Sequence, residues 1–125
     1  MIRGIGIDIV EIDRVRALVE QNGGRALERL LGEAERAALT EHANPGPHYA
    51  GRFAAKEAVM KALGTGWAQG VHWDQIEILN DDSGAPVAHL TGRAAERLRE
   101  MGGTRLHVSI SHSKHYAVAQ AVVEG

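Results

Sequence analysis

Gly4-Ile5-Gly6-Ile7-Asp8-Ile9-Val10-Glu11 decides how the rest of the chain is read. Ile5, Ile7 and Ile9 recur at period two, the spacing of one face of a strand. Gly4, Gly6 and Asp8 then share the opposite face. Glycines inside a strand mark a place where another element comes close. Asp8 therefore stands beside two residues without side chains, pointing away from the isoleucines. Two readings fit it: a solvent-facing acid on an edge strand, or a ligand for a hard cation.

Beyond Glu11 the period changes. Ile12, Val15, Leu18 and Val19 follow helical spacing, and Asn22-Gly23-Gly24 ends that helix. Leu27, Leu30 and Leu31 form a second short stripe stopped by Gly32. Glu33 to Ala43 is rich in helix formers, and Asn44-Pro45-Gly46-Pro47 predicts a turn. Residues 48–63 predict a longer helix ended by Gly64, with alanines at 50, 54, 55, 58 and 62 that let another backbone approach. Ile76 and Ile78 predict a strand, Asp81-Asp82-Ser83-Gly84 a turn, and Val87 to Leu90 a returning strand. Thr91 suits the cap of a helix over 92–101. Leu106, Val108 and Ile110 alternate with His107, Ser109 and Ser111, and a last strand runs from Tyr116 to Val123. Strands at both ends with several helices between them predict an α+β fold.

At 125 residues the chain predicts one domain spanning 1–125. It has no cysteine, which excludes a disulfide framework, a thiol nucleophile and thiolate metal sites. With one Phe, two Tyr and two Trp, little apolar volume is spare for a deep pocket. The net charge of −2 shows no basic excess, so neither nucleic acid nor an acidic membrane surface is the expected partner. No basic-then-apolar leader and no long apolar run stand in the sequence, and the expected location is the cytoplasm. The three lysines, Lys56, Lys61 and Lys114, all fall beside candidate motifs.

Three segments carry chemistry. Asp8 is the first. The second is Arg52-Phe53-Ala54-Ala55-Lys56-Glu57-Ala58-Val59-Met60-Lys61, followed by Gly64-Thr65-Gly66. Glu57 and Lys61 sit at i,i+4 on one helix face, the arrangement of an ordinary helical ion pair. The same residues also suit a divalent cation held against phosphates, since Mg²⁺ takes one or two protein carboxylates plus substrate oxygens. The glycines form no Walker motif, because Lys and Ser/Thr do not follow them. The third segment is Ser109-Ile110-Ser111-His112-Ser113-Lys114-His115, whose hydroxyls, imidazoles and ammonium can donate to phosphate oxygens. A Ser–His hydrolase competes with that reading, but Gly-x-Ser-x-Gly is absent. A zinc site at His112 and His115 is a further alternative.

These three segments, in this order, resemble the holo-acyl-carrier-protein synthase family of 4′-phosphopantetheinyl transferases, and the resemblance runs from residue 1 to about 120. It implies the fold of that family, an antiparallel sheet packed with helices, and a homotrimer with active sites between subunits. It implies transfer of the phosphopantetheine arm of coenzyme A to a serine of apo acyl carrier protein, assisted by Mg²⁺, in support of fatty-acid or polyketide synthesis. Adenosine 3′,5′-bisphosphate leaves. By resemblance Asp8 and Glu57 are the metal ligands. Lys61 lies near the phosphates, contacting them first and helping to accept the serine proton second. Arg52, Lys56, Gly64 and Gly66 complete the phosphate site, and Ser111 and His112 line the nucleotide part. Asn80, Gly84 and Pro86 resemble a loop that approaches adenine from a neighbouring subunit, with Ala85 standing where many relatives carry a basic residue. Arg14 resembles a residue that meets the carrier protein, assisted by Arg16 or Arg25. Two rival functions share parts of this pattern: a non-catalytic coenzyme A or carrier-binding module, and a metal-dependent phosphohydrolase. The presence of both acids favours the transferase over the first, and the arginines over the second.

Overall fold

The computed structural model describes residues 1–125 apart from the side chain of Asn22. Strand β1 (Ile2–Glu11) leads directly into helix α1 (Ile12–Glu20), as the change of period predicts. Short helices α2 (Arg25–Leu30) and α3 (Glu33–Leu39) follow, then the long helix α4 (Gly46–Leu63). Hairpin β2 (Ile76–Asn80) and β3 (Pro86–Leu90), helix α5 (Gly92–Glu100) and hairpin β4 (Arg105–His112) and β5 (Tyr116–Glu124) complete the chain. The main sheet is antiparallel in the order β1-β5-β4, so the first and last strands pair; β2 and β3 form a separate two-stranded sheet.

Helix α4 is the axis of the molecule. Its alanines at 50, 54, 55, 58 and 62 are buried; those at 54, 55, 58 and 62 share a cluster with Ala119, Ala121 and Val123 of β5, and Ala50 shares the second cluster with Ala117. The close approach foreseen from Gly4 and Gly6 is present. A Cβ at Gly6 would overlap the carbonyl oxygen of Ala58, and one at Gly4 that of Ala62. Asp8 continues the same strip of β1, so the glycines that let α4 in also bring Asp8 to its side. A second apolar cluster, formed by Ile12, Val15, Val19, Leu30, Leu31 and Leu39, closes α1, α2 and α3 onto the other flank of α4.

The isoleucine face is the surprise of β1. Ile5, Ile7 and Ile9 are 64%, 61% and 65% exposed, so the core lies on the glycine side and the apolar side is open. Three local expectations shift. Helix α4 begins at Gly46 rather than 48, with Pro47 in its first turn, where a missing N–H costs nothing. Helix α3 stops at Leu39, short of Ala43. Thr91 occupies the N-cap of α5 without a side-chain cap bond; the side chain of Gln75 accepts from the Ala94 N–H instead.

Candidate functional site

A cleft of about 700 Å³ opens between β1, α1 and α4. Asp8 and Glu57 line it with Arg14, Phe53 and Tyr116. Lys61 stands at its edge, donating to Asp8 Oδ1 at 3.0 Å and to the Ile7 carbonyl at 2.9 Å. The i,i+4 spacing therefore places Glu57 and Lys61 on one face, but the ion pair of Lys61 runs across to β1. Glu57 accepts a hydrogen bond from the Trp73 indole at 3.1 Å.

Valence is left over here. Asp8 Oδ2 is buried and has no hydrogen-bond partner, while the Asp8 side chain as a whole is 16% exposed. A buried acceptor without a partner costs about 1–3 kcal/mol, so this oxygen is an anomaly unless a ligand answers it. Two carboxylates with one oxygen each committed, to an ammonium and to an indole, have the donor set that Mg²⁺ takes from a protein when phosphate oxygens supply the rest. The residues present fit that ion. Among the described residues no cluster of three or more His, Cys, Asp or Glu stands ready to hold a metal unaided.

Lys56 is the correction. Assigned to the phosphate site by resemblance, it is 0% exposed and turned into the core. Its ammonium donates to the Leu30 carbonyl at 2.5 Å, Glu35 Oε1 at 2.8 Å and the Trp73 carbonyl at 3.2 Å. Lys56 precedes Glu57 by one residue, and one residue turns a helical side chain through about 100°. That rotation carries it out of the cleft. Glu35, 2% exposed, also accepts from the Gly32 and Ile78 N–H groups. Burial pulls the Lys56 ammonium below its ordinary pKa, and the charge and hydrogen bond of Glu35 oppose that pull.

Other assigned residues gather at the far end of α4. Arg52 is buried and donates to Asn80 Oδ1 at 3.0 Å, tying α4 to the end of β2; its Nε is buried without a partner. Gly84 turns the β2–β3 hairpin with φ 87°, and Pro86 pairs with Asn80. The Ala85 N–H is held by Asp81 Oδ1. Ser111 and His112 end β4, and the His112 ring meets His48 edge-on at 6.2 Å; His48 stacks on His42 at 3.8 Å. Burial, then repulsion from His42, Arg52 and His112, hold His48 below its ordinary pKa.

The glycine loop is largely committed to its own chain. Gly64 ends α4 in the left-handed conformation, φ 67°, and its N–H returns to Lys61. The Gly66 N–H donates to Gln69 Oε1. Of the three arginines assigned to a partner, Arg14 lines the cleft. Arg16 is braced against Asp13 and Asn44, and Arg25 is exposed at the start of α2.

A family model described as the 4′-phosphopantetheinyl transferase superfamily matches residues 4–121. The chain belongs to that superfamily. A holo-[acyl-carrier-protein] synthase of Solidesulfovibrio magneticus is 53% identical over 125 residues, covering 100% of both chains. The crystal structure of a holo-(acyl-carrier-protein) synthase from Bacillus anthracis in complex with CoA (3′,5′-ADP) matches with a TM-score of 0.82 at 40% identity, over 98% of this chain and 96% of that one. The Helicobacter pylori holo-[acyl-carrier-protein] synthase in complex with coenzyme A matches with a TM-score of 0.83 at 33% identity, over 96% and 99%. The expected fold, mixed helix and antiparallel sheet of the synthase kind, is the observed one.

Within this transferase framework two residues escaped the sequence reading. Trp73 reaches Glu57 across 16 positions, and Glu35 reaches Lys56 across 21. Neither sits in a periodic motif, so spacing carried no signal for them. Among the described residues no helix is long and apolar enough to cross a membrane.

Proposed function

We propose that this protein is a Mg²⁺-dependent holo-acyl-carrier-protein synthase acting as one domain over residues 1–125. The serine hydroxyl of apo acyl carrier protein attacks the β-phosphorus of coenzyme A. A phosphorus–oxygen bond forms to the serine, the bond to adenosine 3′,5′-bisphosphate breaks, and the serine proton departs. The observation that carries this reading is the pairing of Asp8 and Glu57 in one cleft with a buried carboxylate oxygen left unpartnered. Mg²⁺ bound there supplies Lewis-acid neutralisation of charge developing on the pyrophosphate.

The chain's own residues do the rest. Asp8 and Glu57 hold the ion. Lys61, 55% exposed and already turned to Asp8, carries a mobile ammonium that contacts phosphate oxygens as they arrive. Arg14, on the wall of the same cleft, faces the acidic carrier, and Arg25, exposed at the start of α2, adds a secondary contact. Charges at such a rim set association rate and salt dependence. Ser111, His112 and the Asn80–Gly84–Pro86 hairpin end line the nucleotide. The complexes of the Bacillus and Helicobacter proteins with coenzyme A support the co-substrate.

The working unit is a homotrimer. Three exposed isoleucines in a row on β1 support this, since a soluble protein rarely leaves a contiguous apolar strip in water. The strip also borders Lys61 on one side and the Ser111–His112 end of β4 on the other. A ligand too large for the single cleft is then shared between copies. The compartment is the cytoplasm, and the product serves fatty-acid or polyketide assembly.

Intact-mass analysis of apo carrier protein incubated with coenzyme A, Mg²⁺ and this protein tests the reading. The expected result is a mass gain of one phosphopantetheine, lost on chelation of the metal. No gain with a carrier from the same organism would overturn it. Sedimentation at assay concentration tests the oligomer; a fully active monomer would remove the shared site.

A further inference from the structure

The indole of Trp73 is aimed at a carboxylate. Its Nε1–H donates to Glu57 Oε1 at 3.1 Å in a partly buried setting. The ring is wedged against Phe53, centroids 5.7 Å apart, and Trp67 at 5.0 Å in an edge-on arrangement. Its backbone is pinned as well: the Trp73 carbonyl accepts from the buried Lys56 ammonium. The turn Trp73–Gln75 is tied at its other end by Gln75, which donates to the Gly70 carbonyl and accepts from the Ala94 N–H.

Packing alone does not explain this arrangement. A phenylalanine would fill the space between Phe53 and Trp67. What only the indole adds is an N–H directed at one oxygen of Glu57. A neutral donor on an ionised carboxylate makes a strong hydrogen bond. It fixes the carboxylate's rotation and leaves Oε2 as the free oxygen. Metal-binding carboxylates held by such an outer partner lose about 10–100-fold in metal affinity or activity when the partner goes.

We propose that Trp73 is a positioning residue for the metal site, orienting Glu57 for Mg²⁺ through its indole N–H while Lys56 anchors its backbone. This rests on the assignment of Asp8 and Glu57 as metal ligands. Trp73 touches neither substrate nor ion; it acts through Glu57.

The test reads binding, not turnover. Coenzyme A is present, carrier protein is absent, and Mg²⁺ is added. Isotope-labelled protein shows one indole N–H resonance for each of its two tryptophans, assigned with Trp67→Phe. The Trp73 resonance is expected to shift on Mg²⁺ addition, and to shift without metal in Glu57→Gln. By calorimetry, Trp73→Phe is expected to weaken Mg²⁺ binding about tenfold. Wild-type Mg²⁺ affinity in Trp73→Phe overturns the proposal while leaving the metal site standing. Wild-type protein that binds no Mg²⁺ overturns both. Should Trp73→Phe fail to fold, a Trp73 resonance indifferent both to Mg²⁺ and to Glu57→Gln overturns the proposal by itself.

Discussion

Lys56 and Glu57 are neighbours on one helix, and the structure treats them in opposite ways. Lys56 has three donors and three acceptors, with no water in reach. Glu57 and its companion Asp8 stand in an open cleft with carboxylate oxygens to spare, one of them buried and unpartnered. The first arrangement is closed: every hydrogen-bonding capacity is met inside the chain. The second is unfinished, and its completion has to come from outside. Residue type does not separate these cases, since both are charges in an alanine-rich helix. Unused valence does. Folding tolerates an unsatisfied acceptor chiefly where function answers it.

The sharpest way to break this contrast is to remove one partner from each side. Lys56→Ala strands the Glu35 carboxylate in the core and is expected to cost about 3–5 kcal/mol of stability. Urea denaturation reads the loss. Replacing both partners, Lys56→Met with Glu35→Leu, is expected to restore only part of it: no unpaired charge remains, but the Gly32 and Ile78 N–H groups and the Leu30 and Trp73 carbonyls lose their partners. A Lys56→Ala protein as stable as the parent would mean that the closed network is not structural.

Asp8→Ala and Glu57→Ala are the counterparts. Each is expected to reduce phosphopantetheine transfer by about a hundredfold to a thousandfold, the scale for losing one preorganised electrostatic group. The thermal midpoint is expected to stay near that of the parent. Asp8→Ala removes an unpartnered acceptor, and the ion pair it breaks has a half-exposed lysine of small worth. Stability losses matching that of Lys56→Ala would collapse the distinction between site and scaffold.

The sequence made most of the fold legible, and half of the site. Period two in Ile5–Ile9 and the glycines opposite it foretold both the strand and the approach of α4, because backbone sterics act locally. The gathering of Asp8, Glu57 and Lys61 about one cleft was legible for the same reason: a strand strip and one helix face are local geometries. The sequence was silent on which side of β1 faces water. Period two names one apolar face without saying what covers it; α4 packs on the glycines and the isoleucines stay open. Lys56 misled because a lysine in a phosphate-binding motif looks like a ligand contact until Glu35, 21 residues away, is seen to hold it. Trp73 was invisible for the corresponding reason: its partner is chosen by tertiary packing.

Gly6→Ala joins the two halves of the contrast. The added methyl would meet the Ala58 carbonyl, backbone against side chain, and cannot rotate away. Overpacking of this kind costs about 1–3 kcal/mol. Forcing α4 off β1 also separates Glu57 from Asp8, so activity is expected to fall more steeply than stability. Loss of stability alone, seen by comparing transfer rates with melting curves below the transition, would uncouple the strip from the site. Arg14→Ala, at the cleft wall, is expected to raise KM for the carrier a few-fold and flatten its salt dependence, with kcat and stability unchanged.

The smallest effect concerns a polar group of intermediate status. His48 is neither closed like Lys56 nor poised like Asp8; it stacks on His42 and faces Arg52 and His112. Burial first, and these cations second, hold its folded pKa below the ordinary 6.5. The unfolded chain therefore keeps this proton at pH values where the folded chain has released it. Between the lowered pKa and 6.5 the unfolded state binds more protons, so stability rises with pH through that window. Below it the penalty is present in full and constant. Thermal midpoints measured across this range are expected to climb modestly, and His48→Asn to flatten the climb. Adenosine 3′,5′-bisphosphate should flatten it too, since phosphate beside His112 would favour the protonated imidazole that its cationic neighbours now disfavour. A slope untouched by His48→Asn would assign the pH dependence to another group and leave the histidine stack a packing feature.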